Sequence, residues 1–459
     1  MTNEHGIWAR RALLRDGWAN DVRIVCDETG AIGSVETGVA TASSGDHIAD
    51  TILPAPSNLH SHTFQRAMAG LAEQRGAGRA DSFWSWRETM YRFVAALTPD
   101  DIEAVAALAF MEMLEAGFAG VGEFHYLHHD RDGGLYADPA ETAGRIVAAA
   151  QRTGIGLTLL PVLYQRGGCD GRPLAGGQLR FGNDIDRFAD VWQASARHVT
   201  RLPGDARIGV APHSLRAVDA DGLNAALALA PDGPIHIHLA EQTAEVDEVR
   251  ADLGARPAAW LLANHPVDDR WCLIHATHLD DGELAGIAGS GAVAGLCPVT
   301  EANLGDGIFR GEAFVRQGGR FGVGTDSNVA ISLAGELRML EYSQRLALQR
   351  RAVLAEEGGA TGRWLWQAAC SGGAQALGRA SGAIAAGLCA DLVEIDTADY
   401  RFSGRDGDDL VDTWVFAAPD RCGVRNVWSA GRHVVRDGRH IARDAVVGAY
   451  VGRDLAARV

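Results

Sequence analysis

Residues 53–71, LPAPSNLHSHTFQRAMAGL, run from an apolar lead, Leu53 to Leu59, straight into His60-Ser61-His62. In an extended chain residues i and i+2 share a face, so both imidazoles point the same way and can close on one ion. Spacing alone leaves two readings open, a metal-ligand pair and a pair of hydrogen-bonded histidines. The answer depends on what the rest of the chain brings beside them.

The stretch 52–62 is the first of eight short β-rich runs. The others are 117–126, 154–164, 206–214, 234–241, 271–278, 291–300 and 320–328. Near-continuous apolar runs of this kind suit strands buried on both faces of a parallel sheet. Helical patterns lie between them, such as 98–117, with Thr98 as N-cap and Gly117 as the stop. Eight strands alternating with helices predict an α/β fold, a (β/α)8 TIM-like barrel over 52–381, with chemistry at the C-terminal ends of the strands. The flanks, 1–51 and 382–459, are Gly-punctuated and β-like. Each is too small for a stable sheet alone, so the two are expected to pair as one small β-sandwich domain built from both termini.

A net charge of −17 over 459 residues disfavours nucleic acid and anionic membrane surfaces as partners. No run of about 18 apolar residues occurs, and a cytoplasmic enzyme is expected. The seven cysteines are scattered without C-x-x-C spacing, which favours reduced thiols over a disulfide framework or a thiolate zinc site. All 42 basic residues are arginine. Schiff-base chemistry, a Walker lysine and a carboxylated-lysine metal bridge are therefore excluded.

In a barrel the polar residues at strand ends converge. Besides His60 and His62 these are His236, His238 and Glu241 on the fifth run, His275 and His278 on the sixth, and Asp326 on the eighth. Imidazoles and a carboxylate from four strand ends make a site for which zinc is the default ion. The set, H-x-H on strand 1, H-x-x-E on strand 5, histidine on strand 6 and aspartate on strand 8, resembles the amidohydrolase superfamily and, within it, the mononuclear zinc deaminase branch. GAIAAGLCADLVEID (382–396) is similar to that superfamily's return into its β domain. The resemblance implies that His60, His62, His238 and Asp326 ligate one Zn²⁺ per chain, and it suggests a homodimer. His238 is preferred to His236 because it lies further out along the strand. A glutamate-bridged second ion would have Glu123 as its candidate.

The parts imply hydrolysis of a C=N group. Asp326 takes a proton from the attacking water, Glu241 serves as general acid, and His275 donates to the tetrahedral centre. A surface carboxylate at a helix start is the competing reading of Glu241. His278, which begins a helix approach, competes with His275. His128 and His129 read as loop residues.

At finer grain, NLHSHTFQRAMAGLAE (58–73), FWSWRETMY (83–91), VGEFHYLHHD (121–130), APHSLRAV (211–218) and HIHLAEQTAEVDEV (236–249) resemble the members of that branch that deiminate N-formimino-L-glutamate. The implied partner is a small anionic amidine with two carboxylates, which arginine clamps through paired hydrogen bonds. Arg216 and Arg87 are the arginines placed to reach the mouth, with Gln65, Tyr126 and His213 as further donors. A helix ion pair is the alternative for Arg87. Two other functions stay open: a zinc deaminase of a guanine-like heterocycle, stacked by Trp84, Trp86 and Tyr126, and an inactive barrel serving as a binding scaffold.

Overall fold

The computed structural model describes residues 6–73, 83–420 and 422–455, without the side chains of 83–85. Eight parallel strands form its centre: Ser57–Ser61 (β1), Gly120–His125 (β2), Gly156–Leu163 (β3), the paired segments Arg207–Ile208 and Ala211–Pro212 (β4), Ile235–Leu239 (β5), Trp271–His275 (β6), Val293–Leu296 (β7) and Arg320–Val323 (β8). They make two arcs, β1 to β4 and β5 to β8. Parallel bridges join the arcs, Val210 to Ile235 on one side and Ser61 to Asp326 on the other. The ring closes tightly at β1 and β8. A Cβ at Gly324 would lie within 2.8 to 2.9 Å of His60 backbone and Cβ atoms, so only glycine lets the eighth strand come this near the first histidine. The result is a mixed α/β, TIM-barrel-like architecture.

Local sequence explains the helices around it. Helix Pro99–Glu115 starts in a capping box: the Asp101 N–H donates to Thr98 Oγ1, and the Thr98 N–H donates to Asp101 Oδ2. Its successor Gly117 is left-handed (φ 99°), ending the helix where expected. Leu59, Cys272, Ile274, Val293 and Cys297 pack inside the barrel against Ala376 and Leu377.

The run 52–62 is not one strand, contrary to expectation. Strand His47–Pro54 belongs to a second sheet, and β1 begins only at Ser57. Pro54 and Pro56 punctuate it, since Pro56 has no N–H to continue a ladder. The second sheet has eight strands and draws on both chain ends, with order Arg439–His440, Arg432–Arg436, Val424–Ser429, Leu392–Ile395, His47–Pro54, Gly6–Leu14, Gly17–Cys26, Ile32–Glu36. The β-like reading of the C-terminal flank missed two helices there, Asp408–Phe416 and Arg443–Val451. The first is held by tertiary packing: Trp414 meets Trp366 of helix Thr361–Ala376 with ring centroids 4.7 Å apart.

Buried charge ties this sheet to the base of the barrel. Arg379 donates to Asp391 Oδ2 (3.0 Å) and to Asp205 Oδ2 (3.1 Å), and Arg432 also reaches Asp205 at 2.8 Å. All seven cysteines are free thiols. Among the described residues no helix is long and apolar enough to cross a membrane.

Candidate active site

His60 and His62 leave β1 at the C-terminal mouth, where β5 and β8 deliver His238 and Asp326. The Nε2 atoms of His60 and His238 are 3.2 Å apart, and Asp326 Oδ1 lies 3.5 Å from His60 Nε2 and 3.3 Å from His62 Nε2. Two of the rings are aimed by backbone carbonyls: His62 Nδ1 donates to Phe124 O (3.0 Å) and His238 Nδ1 to His213 O (3.1 Å). A carbonyl can only accept, so those protons sit on Nδ1 and both Nε2 lone pairs face the centre. His236, two residues earlier, lies deeper, its Nε2 spent on Ala376 O at 2.7 Å.

Glu241 and His275 form the next layer. Glu241 Oε1 is 3.7 Å from His275 Nε2, and His275 Nε2 is 3.9 Å from Asp326 Oδ2. His275 and Asp326 both sit in the left-handed region, with φ of 69° and 44°. Such backbone costs about 1–3 kcal/mol per residue and persists where its surroundings over-determine it. Around Asp326 that support is a buried network: Asn58 bonds Thr325 in both directions, Thr325 Oγ1 donates to Asn328 Oδ1, and Asn328 Nδ2 reaches Ser61 Oγ.

The same pocket is lined by Gln65, Arg87, Tyr126, His213 and Arg216. Gln65 Nε2 donates to the Tyr126 hydroxyl (3.1 Å), and its Oε1 is buried without a partner among the described residues. Arg87 Nε donates to Tyr91 OH at 2.7 Å, one turn along its own helix. Arg216 is half-buried, with the carboxylate of Glu245 as its main favourable charge and its Nε lacking a hydrogen-bond partner among the described residues. The structure thus brings every predicted site residue but His60 to the lining of one cavity, and His60 lies against His238 and Asp326 of that lining. His278 stands outside it, its Nε2 on Asp306 O (2.8 Å). His128 and His129 are buried loop residues spent on Val162 O and Gly182 O. Trp86 lines the pocket, while the ring of Trp84 lies outside the described residues.

Residues 51–434 match the amidohydrolase family model. The chain belongs to the amidohydrolase family. Residues 4–49 of this amidohydrolase match a second model, the N-terminal domain of formimidoylglutamate deiminase HutF. Formimidoylglutamate deiminase of Pseudomonas aeruginosa is 49% identical over 97% of this chain and 98% of its own. The crystal structure of an amidohydrolase from Brucella melitensis superposes with a TM-score of 0.94 at 49% identity, covering 99% of this chain and 100% of that one. An adenosine deaminase structure from Xanthomonas campestris, solved with bound zinc, shares the fold at 22% identity and a TM-score of 0.82, covering 99% of both chains.

The donor set of this amidohydrolase fits a divalent ion. Ligand atoms of His60, His62 and His238 lie within 4.8 Å of one another, and the 3.2, 3.3 and 3.5 Å separations match the edge of roughly 3.3 Å expected for a tetrahedron with bonds of about 2.0 Å. Burial keeps the imidazoles neutral, pushing His60 down to about 3 and lowering His62 and His238 as well. Burial works against an ionised Asp326, yet the surrounding rings of His60, His62 and His275 hold it well below the usual carboxylate range. Neutral imidazoles beside a carboxylate are what such an ion requires. Glu123 Oε1 accepts the Thr63 N–H (2.9 Å) and hydroxyl (2.6 Å), and its Oε2 is buried with no hydrogen-bond partner among the described residues.

Glu241 and His275 are both raised from their ordinary values, by different causes. Burial raises Glu241 to about 7 even though His275 opposes the shift. His275 rises to about 10, because Glu241, Glu301 and Asp326 outweigh its burial. Two acids here escaped sequence reasoning. Glu301 Oε1 is 3.3 Å from His275 Nδ1 while accepting the Cys297 N–H at 2.8 Å, and Asp306 joins Glu241 and His275 in one cluster. The legible signal was a pair of acids in PVTEANLGD (298–306), directly after β7.

Proposed function

We propose that this enzyme hydrolyses N-formimino-L-glutamate to N-formyl-L-glutamate and ammonia, a step of histidine degradation. The observation that carries the reading is two arginines, Arg87 and Arg216, in the cavity that holds Glu241, His275 and Asp326. A deiminase of a dicarboxylate needs both parts, and a near-full-length relative carries that activity's name. His60, His62, His238 and Asp326 would hold one Zn²⁺ per chain, which would supply the Lewis-acid chemistry that activates water.

The side chains do the rest. Asp326 accepts the proton of the attacking water; Glu241 hands its proton to the imino nitrogen, recovers one from the hydroxyl of the tetrahedral centre and gives that to the departing ammonia, and the proton on Asp326 then recharges Glu241. His275, held as a cation, donates to the oxygen that develops negative charge on the former amidine carbon. Arg216 and Arg87 clamp the two carboxylates, and Gln65, Tyr126 and His213 complete the donor set. The enzyme is further read as a cytoplasmic homodimer. The dimer follows from family resemblance, and the absence of nucleic-acid or membrane partners from the charge of −17. Residues 1–51 and 382–459 are read as a composite β-sandwich domain beside the barrel of 52–381, with strand His47–Pro54 carrying the domain's sheet three residues past that boundary.

Ammonia release assayed over N-formimino-L-glutamate, N-formimino-L-aspartate, guanine and cytosine tests the assignment. Turnover is expected on the first, and activity on guanine with none on formiminoglutamate would overturn it in favour of a heterocycle deaminase. Metal analysis of the purified enzyme should return one divalent ion per chain. Two equivalents held with comparable strength would contradict the mononuclear reading.

A further inference from the structure

Asp306 follows helix Pro298–Leu304, between Gly305 and Gly307, which are left-handed with φ of 72° and 139°. Its N–H donates to Glu301 O (2.9 Å) and its C=O accepts from His278 Nε2 (2.8 Å), fixing this segment against the loop after β6. The two loops meet closely: a Cβ at Gly307 would come within 3.2 Å of the His278 ring. Held this way, the Asp306 side chain is buried and turned toward the active site. Oδ1 accepts from Gln242 Nε2, whereas Oδ2 is buried with no hydrogen-bond partner among the described residues. A carboxylate oxygen of Asp306 lies within 4.8 Å of ligand atoms of both Glu241 and His275.

A buried carboxylate oxygen with no donor is costly as an anion. Two carboxyls this near in an enclosed site do not both ionise, and a proton on one relieves the pair. Burial and the facing Glu241 raise Asp306 to about 9, with Glu301 and Asp326 pushing the same way and His275 opposing. Glu241 Oε1 has the His275 imidazole 3.7 Å away to favour its anion, whereas Asp306 Oδ2 has no donor, so Asp306 is the member that keeps the proton.

We propose that Asp306 is a positioning residue that acts through Glu241: the hydroxyl on its Oδ2 donates a hydrogen bond to the Glu241 carboxylate, directly or across one water, and fixes the direction in which that carboxylate faces the leaving nitrogen. The inference deepens the deiminase reading and rests on it. Nothing is asked of Asp306 in substrate binding, so its effect belongs to the chemical step.

The test uses full-length metal-loaded enzyme with N-formimino-L-glutamate, comparing wild type with Asp306→Ala, Asp306→Asn, Glu241→Gln and the Asp306→Ala/Glu241→Gln pair. Asp306→Ala is expected to lower kcat by about 10² with KM within about threefold. Asp306→Asn, which restores a donor, should recover about tenfold of that loss. In the Glu241→Gln background, Asp306→Ala should cost less than about threefold, because residues that act through one another are not additive. A rise in KM matching the fall in kcat, alanine and asparagine variants that behave alike, or additive losses would each overturn the proposal and return Asp306 to anchoring the loop through Gln242. A failed substrate assignment would show in the wild type of the same assay, and a failed positioning role only in the variants.

Discussion

Replacing Arg216 by methionine is expected to reduce kcat/KM for N-formimino-L-glutamate by about 10² to 10⁴, since each charge-assisted hydrogen bond contributes about 1.5–3 kcal/mol and a clamp makes two. Methionine keeps the length and much of the volume while removing the charge. Zinc content should not change, because Arg216 lies outside the His60, His62, His238 and Asp326 set. Its turn is held independently, Arg166 donating to the carbonyls of Leu215 (3.1 Å) and Val218 (3.3 Å). A thermal melt is needed alongside, since Glu245 loses the charge it faces. The comparison that decides is a neutral formamidine without carboxylates. A large loss on formiminoglutamate with little change on the neutral compound identifies a carboxylate clamp, whereas equal losses would make Arg216 structural.

Glu241→Gln should fold, retain its ion and lose about 10² to 10⁴ in kcat. The amide preserves shape, and the backbone N–H at 241 keeps its bond to Glu245 Oε2 (3.0 Å). What disappears is a carboxyl that burial has brought to about 7, where it both gives and takes a proton readily at neutral pH. Turnover near that of wild type, with the metal content unchanged, would show that the proton path runs elsewhere.

Much of this architecture is legible in the chain because buried parallel strands need near-continuous apolar runs, and all eight runs contain barrel strands. The join at residues 52–62 was misread because hydrophobicity continues across Ala55-Pro56 while the hydrogen-bond ladder does not. Helix Asp408–Phe416 was not legible because the Trp414 to Trp366 contact that seats it is non-local. Within the site, the alternation of β5 places His236 and His238 on one face, and depth in the barrel, visible only once the ring closes, separates the ring bonded to Ala376 O from the one facing His60. Glu301 and Asp306 were missed for a related reason. They follow β7 in the chain, and only the side-by-side pairing of β6 with β7 puts them beside His275.

The closure between β1 and β8 gives the ion a mechanical meaning. No continuous ladder joins those strands. One bridge, from Ser61 to Asp326, and the backbone bonds His62 N–H to Asp326 O (2.9 Å) and Asp326 N–H to His60 O (3.0 Å) span the gap. The assigned ligands divide evenly across it, His60 and His62 on one arc, His238 and Asp326 on the other. An ion seated there is a rivet through two half-barrels. Bound to the closed ring alone, it would add about 2.7 kcal/mol when free metal stands at a hundredfold excess over Kd. A barrel held in this way would melt at a temperature that rises with the free metal around it.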